Sequence, residues 1–266
     1  MILPEDSPLF ITALSKGLSI LMVFRAGRSS LTLREIAEAS GLNKSTVQRS
    51  IFTLEALGYI GRESGTRRYR LAPKSLDLGA GYLQSSDLIE RANPYLHELN
   101  RSVEESCNLL EPCGLDMIYV ARFPSHKQIP MHIQIGHHLP MYCTAAGRAY
   151  LSALPKAESD AILDESVLNK YTVNTVIDIA RLKDIVAEAK SLGYSSSDAE
   201  YYAGDIGLAA SVVNSDGYPL GAVNISIPYT RWNIDSAKEE LAPKVLNAAR
   251  AISSASRNLR QMITFS

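Results

Sequence analysis

The chain has 266 residues, nearly twice the ~150 of a typical domain, which predicts two domains. With 46% hydrophobic and 21% charged residues and a formal charge of −1, it excludes disorder, collagen-like repeats and a molecule-wide basic field. No apolar run approaches the ~18 residues that span a bilayer. The stretch Leu18-Ser19-Ile20-Leu21-Met22-Val23-Phe24 is short and ends at Arg25, and the start carries Glu5 and Asp6 rather than a basic leader. A cytoplasmic protein with no membrane partner is therefore expected. Cys107, Cys113 and Cys143 have no C-x-x-C spacing and read as reduced, mostly buried thiols.

In chain order, residues 9–26 carry Leu14, Leu18, Leu21 and Met22 at helical spacing, with Gly27 placed as a C-cap. Thr32-Leu33-Arg34-Glu35 matches a capping box and predicts a short helix over 33–39. Ser40-Gly41-Leu42 is a tight turn, and Asn43 caps a second helix that ends near Leu57-Gly58. On that helix Val47, Ile51 and Leu54 recur at i, i+4 and i+7 and point inward. Lys44, Ser45, Thr46, Gln48 and Arg49 form the opposite, donor-rich side. Residues 59–63 and 67–71, joined by Ser64-Gly65-Thr66, alternate as a hairpin.

Charge separates this front from the rest. Residues 1–85 hold eleven basic and seven acidic side chains, a net of +4, whereas the remainder holds 16 and 21, a net of −5. Helix, short helix, glycine turn, polar-faced helix and basic hairpin describe a winged helix-turn-helix, which would meet double-stranded DNA. Asn43, Gln48 and Arg49 are candidates for base edges in the major groove. Arg34, Lys44, Ser45 and Thr46 complete the candidate contact set, and Arg67 and Arg68 on the hairpin are candidates for phosphates or a minor groove. The expected boundaries are a DNA-binding domain over 1–73, a linker helix over 74–86 and a second domain over 87–266.

In the acidic body, residues 87–105 predict a helix with a kink or restart at Pro94. Strands are expected at 107–111 and 117–123 around Gly114, with a third over 129–135. A helix begins at Thr144-Ala145-Ala146-Gly147 and stops at Pro155. Residues 179–192 are amphipathic, 207–213 and 220–227 read as strands around Ser215-Asp216-Gly217, and 234–262 is helical with an interruption at Pro243. The order is α+β around an antiparallel sheet.

The body holds no G-x-S-x-G, H-E-x-x-H or P-loop motif. Gly79-Ala80-Gly81-Tyr82-Leu83-Gln84 lacks the third glycine of a dinucleotide site and follows no strand, so no cofactor is expected. His137 and His138, with His132 and Cys143, either hold a metal or are loop histidines before a proline. The spacing favours the loop, and no metal is expected. An enzyme reading would need Cys143 paired with His137 or His138. A third alternative is a constitutive DNA-binding protein whose body only oligomerises. The small residues at 144–147 leave helix amides open either to an anion or to close sheet packing.

The stretch Gly41-Leu42-Asn43-Lys44-Ser45-Thr46-Val47-Gln48-Arg49 resembles the IclR family of bacterial transcription regulators. Leu139-Pro140, Thr144-Ala145-Ala146-Gly147-Arg148-Ala149, Gly193-Tyr194 and Ala209-Ala210-Ser211-Val212 with Gly217 and Gly221 extend the resemblance over residues 14–259. It implies a winged helix-turn-helix, a linker helix and a GAF-like effector domain with a central antiparallel sheet. It also implies a homodimer or homotetramer on a palindromic operator, controlled by a small-molecule effector, and no enzymatic activity. The family's pocket positions fall on Met131, Leu139, Ala145, Ala146, Asp205, Gly207, Asn224 and Ser226. Leu139-Pro140-Met141-Tyr142-Cys143-Thr144 is similar to the branch that regulates aromatic-acid catabolism. An aromatic carboxylate would then find apolar walls in Met131, Leu139 and Met141 and a polar end in Thr144, Asn224 and Ser226. The segment Tyr201-Tyr202-Ala203-Gly204-Asp205 departs from the family's commoner run.

Overall fold

The computed structural model describes residues 6–24, 28–127 and 133–260, and the chain divides into two units, Met1–Gln84 and Ser85–Ser266. The first contains α1 (Thr12–Met22), β1 (Leu31–Thr32), α2 (Leu33–Ser40), α3 (Lys44–Ala56), β2 (Ile60–Arg62) and β3 (Arg68–Leu71). A 3-10 turn at Pro73–Ser75 leads into α4 (Leu76–Ser85). The predicted capping box is formed. Thr32 Oγ1 accepts from the Glu35 amide at 3.3 Å, while the Glu35 carboxylate accepts from the Thr32 amide at 2.7 Å. Gly41 ends α2 in the left-handed region at φ 68°, which a Cβ would disfavour. Asn43 Oδ1 accepts from the Thr46 amide at 2.8 Å and so starts α3.

Ile20, Ile36, Val47, Ile51, Leu54, Ile60 and Tyr69 make the core of this unit. Helix α1 differs from expectation: it is shorter than 9–26, and Leu14 and Leu18 are exposed. Only its last turn and the residues after it reach the core, through buried Ile20 and half-buried Leu21, Val23 and Phe24. Gly27 lies outside the described residues. The sheet has a strand that was not anticipated, β1, which pairs with β3 through Leu31↔Tyr69 and Thr32↔Arg68. Two residues are too few to show alternation.

The second unit runs α5 (Asp87–Val103), β4 (Ser106–Cys113), β5 (Asp116–Phe123), β6 (His138–Pro140), α6 (Ala145–Ala153) and α7 (Lys156–Glu165). It continues with α8 (Ile179–Leu192), β7 (Ser195–Asp198), β8 (Asp205–Val213), β9 (Pro219–Pro228) and α9 (Ile234–Ala255). Six antiparallel strands lie in the order β6-β5-β4-β9-β8-β7. Helices α5 and α9 pack on each other and on the sheet, and α6 packs on β7, β8 and β9 with α8 behind it.

Both internal prolines sit inside single helices, Pro94 in α5 and Pro243 in α9. In α5 the apolar face Leu88, Ile89, Ala92, Leu96, Leu99 and Val103 is buried on both sides of Pro94, and that burial outweighs one lost backbone hydrogen bond. Of the third strand expected over 129–135, residues 129–132 lie outside the described ones and 133–135 are not in a strand; β5 pairs with β6. Helix α9 ends at Ala255, short of the expected 262. Among the described residues no helix is long and apolar enough to cross a membrane.

Candidate nucleic-acid interface and ligand cavity

Helix α3 separates its faces as its spacing dictates. Val47, Ile51 and Leu54 are buried, while Lys44, Ser45, Gln48 and Arg49 are exposed and Thr46 is half-buried. Asn43 is exposed, but its Oδ1 is engaged in the cap, which leaves the amide nitrogen as its donor. Arg34, on α2, makes an exposed i,i+4 pair with Glu38 at 2.7 Å, and that pair raises the pKa of the guanidinium further.

The two hairpin arginines separate. Arg67 is exposed near the turn. Arg68 is turned back into the unit, where it donates to the Ser30 carbonyl at 2.8 Å and to the Glu35 carboxylate at 3.1 Å. Arg68 therefore ties β3 to the start of α2, through the same Glu35 that completes the capping box.

In the second unit, β8, β9, the start of α6 and the segment 197–202 surround a small cavity of about 30 Å³. Leu139, Thr144, Ala145, Ala146, Asp205, Gly207, Asn224 and Ser226 all line it. Register explains part of the grouping, because Gly207 lies opposite Ser226 and Ala209 opposite Asn224. Gly207 keeps the space open: a Cβ there would lie 2.7 Å from Ser197 Oγ and 3.1 Å from Ala145 Cβ. At the start of α6 Thr144 Oγ1 accepts from the Gly147 amide at 3.3 Å, capping the helix that faces the cavity.

Asp205 accepts a 2.7 Å hydrogen bond from Ser226 Oγ. Burial pushes its carboxyl up to about 7, against the opposing pull of the Ser226 hydrogen bond and of Arg122. Arg122 donates to Asn108 Oδ1 at 3.1 Å, and Asn108 Nδ2 donates to Asn224 Oδ1 at 3.0 Å. A polar chain thus crosses β5, β4 and β9 to the cavity wall.

One expected residue is not there, and one cannot be placed. Met131 lies outside the described residues. Met141 is fully buried in the hydrophobic core and does not line the cavity. Its backbone packs closely against α6, where a Cβ on Gly147 would sit 2.2 Å from Met141 Cα. Sequence reasoning missed Tyr119, Ser197, Glu200, Tyr201 and Tyr202, which complete the lining. The signal for the last two was the Tyr-Tyr pair just before Asp205. Tyr202 Oη lies 2.8 Å from His137 Nε2, and Tyr201 packs on both Tyr202 and Tyr171 with ring centroids 4.6 Å apart. Burial lowers His137 and raises Tyr202.

Behind the cavity, Arg148 on α6 forms a two-pronged pair with Glu200, at 2.5 and 2.6 Å, and donates to the Tyr142 carbonyl at 2.8 Å. Glu200 also accepts from the Val176 amide at 3.2 Å. The pair fixes the segment that carries Tyr201 and Tyr202.

The Cys143 thiol is pushed up to about 12 by burial, which leaves it a poor nucleophile. His137 is engaged by Tyr202, and His138 lies 3.4 Å from Asp116. Among the described residues no cluster of three or more His, Cys, Asp or Glu is placed to hold a metal ion.

A capped, donor-faced helix after a glycine turn, with a three-stranded wing beside it, marks a winged helix-turn-helix DNA-binding regulator. Residues 13–64 match the model of the IclR helix-turn-helix domain, and residues 80–254 match that of the bacterial transcriptional regulator IclR C-terminal domain. The chain belongs to the IclR family of DNA-binding transcription regulators. It is 30% identical over 244 residues to the Pca regulon regulatory protein of Pseudomonas putida, covering 91% of this chain and 83% of that one. An IclR family transcriptional regulator from Brucella abortus superposes with a TM-score of 0.82 at 27% identity, covering 94% of this chain and 95% of the other. An IclR homolog from Microbacterium hydrocarbonoxydans, crystallised with 4-hydroxybenzoate, shares the fold with a TM-score of 0.74 at 21% identity, covering 91% and 98%.

Proposed function

We propose that α3 enters the major groove of an operator and that an aromatic acid bound in the cavity of the second unit controls this binding. The observation that carries the DNA reading is the outward set Ser45, Gln48 and Arg49 on a helix whose other face is buried. Arg49 suits a guanine edge, which a guanidinium meets with two hydrogen bonds. Arg67 suits a phosphate, and Arg68 is read as a structural tie. The exposed apolar residues Leu14 and Leu18 on α1 favour a second copy covering that face. A homodimer would present two α3 helices about 34 Å apart, matching a palindromic operator.

The two arginines give different expected results. Arg49→Ala weakens binding to operator DNA far more than to random duplex, by about 1–3 kcal/mol of discrimination. Arg67→Ala weakens both alike and lowers the log–log salt slope by about 1. Competition binding at two or more salt concentrations reads both, and equal losses for Arg49→Ala on both duplexes would remove it from base reading.

Tyrosines, Leu139 and small residues give the cavity the apolar walls of a ring site, and Asn224, Ser226 and Asp205 give it a polar end. The 4-hydroxybenzoate complex of the homolog agrees with this chemistry. The free space of about 30 Å³ admits one or two waters and no ring. Entry therefore requires the cavity to widen. Titrating 4-hydroxybenzoate, with acetate as the comparison acid, tests this by thermal shift. A ligand at 100 times its Kd stabilises by about 2.7 kcal/mol. Ala145→Val, which puts two methyl groups into the cavity, is expected to remove the shift and leave operator binding intact. A shift that survives in this variant would place the ligand elsewhere.

A further inference from the structure

One large apolar side chain stands on the otherwise polar outer face of α3. Phe52 is 73% exposed and belongs to no core cluster of its unit. Ser45, Gln48, Arg49 and Phe52 fall at i, i+3, i+4 and i+7, which puts them on one side of the helix, opposite the buried Val47, Ile51 and Leu54. Beside this face runs a groove between α3 and the wing, lined by Gln48, Arg49, Phe52, Arg62 and Tyr69. Arg62 holds its guanidinium carbon 6.0 Å from the Tyr69 ring centroid, and the groove that Phe52 lines carries Arg49 on the helix side, Arg62 on the wing side and one acidic residue, Glu55.

A phenyl ring left in water adds nothing to the fold, and burying it against an apolar partner is favourable. The floor of the major groove offers one such group, the C5-methyl of thymine; every other base edge there presents donors and acceptors. We propose that Phe52 is a specificity-determining residue that packs against a thymine methyl in each operator half-site. The proposal rests on the reading that α3 enters the major groove. Phe52 lies three residues beyond Arg49, which at 1.5 Å per residue is about 4.5 Å along the helix. With base pairs about 3.4 Å apart, the thymine lies within two base pairs of the position that Arg49 contacts.

The test uses the full-length chain and a duplex that it selects from a random pool. Each thymine of that duplex is replaced in turn by deoxyuridine, which lacks only the methyl and keeps every hydrogen-bonding group. The expected result is one sensitive thymine per half-site. Its replacement weakens wild-type binding about fourfold, the factor for burying one carbon. Phe52→Ala loses affinity for the thymine duplex by at least this factor and no longer distinguishes thymine from uracil at that position, while Phe52→Leu retains part of the preference. Wild-type protein that binds thymine and uracil duplexes equally at every position overturns the proposal. So does a Phe52→Ala variant that keeps the full preference, or one that changes only the oligomeric state in sedimentation. Failure of the underlying reading looks different: no sequence is enriched from the pool, or Arg49→Ala loses equally on selected and random duplexes.

Discussion

Arg148→Met is expected to destabilise the second unit by about 3–5 kcal/mol, the usual loss when one partner of a buried ion pair is removed. Arg148 and Glu200 have side chains only 2% and 8% exposed, so solvent does not replace the lost guanidinium. Methionine retains most of the alkyl stem, and the loss therefore reports the charge rather than a cavity. Glu200 would be left with the Val176 amide as its remaining side-chain partner among the described residues. It must then stay charged and poorly paired or take up a proton. Replacing both residues by Met should cost less than replacing Arg148 alone, because no charge is then stranded. The single tryptophan, Trp232, lies in the second unit, and its fluorescence during urea unfolding follows that unit. A loss below about 1 kcal/mol would mean that the pair is solvated in solution, as exposed pairs are.

That pair also marks where the sequence stopped being informative. The DNA-binding unit was largely legible because its signals are local. A hydroxyl and a carboxylate three residues apart made the capping box, and Asn43 opened α3 as its spacing required. What stayed hidden there was non-local: Arg68 reads as a wing cation, and its partners Ser30 and Glu35 lie more than thirty residues away. In the second unit the motif positions on β8, β9 and α6 do meet around one cavity. Glu200 and Arg148, 52 residues apart, carry no periodic or motif signal that would join them. Strand β7 escaped for a different reason. Its Ser-Ser-Ser-Asp sequence shows no apolar alternation, because an edge strand needs only backbone pairing with β8. Met141 misled because an apolar residue beside a small-residue motif looks like a pocket wall. Its side chain is fully buried in the core instead, and its backbone lies against Gly147 of α6, a contact that spacing does not reveal.

Asp205→Asn is expected to stabilise the protein increasingly as pH rises. A folded carboxyl held near 7, by burial, against an ordinary 3.8 keeps a proton that the unfolded chain has already released. Stability contributed by the protonated form is complete below the unfolded pKa and is lost as pH rises through the folded one. Asparagine does not titrate and can still accept from Ser226 Oγ. The variant should match wild type most closely near pH 4 and gain on it up to pH 7–8, by at most about 4 kcal/mol. Melting curves at pH 4.5, 6 and 8 read this as a difference in Tm that widens with pH, while other titrating groups cancel between the two proteins. Curves that stay parallel would show that the carboxylate is solvated. The same charge bears on ligand choice. An aromatic carboxylate that enters the cavity beside an ionised Asp205 meets a like charge in a poorly solvated site, and beside the neutral acid it does not. Affinity for 4-hydroxybenzoate should therefore fall from pH 6 to pH 8 in the wild type and stay nearly level in Asp205→Asn. A wild-type affinity that stays level or rises over that interval would show that the carboxylate of the ligand does not lie beside Asp205.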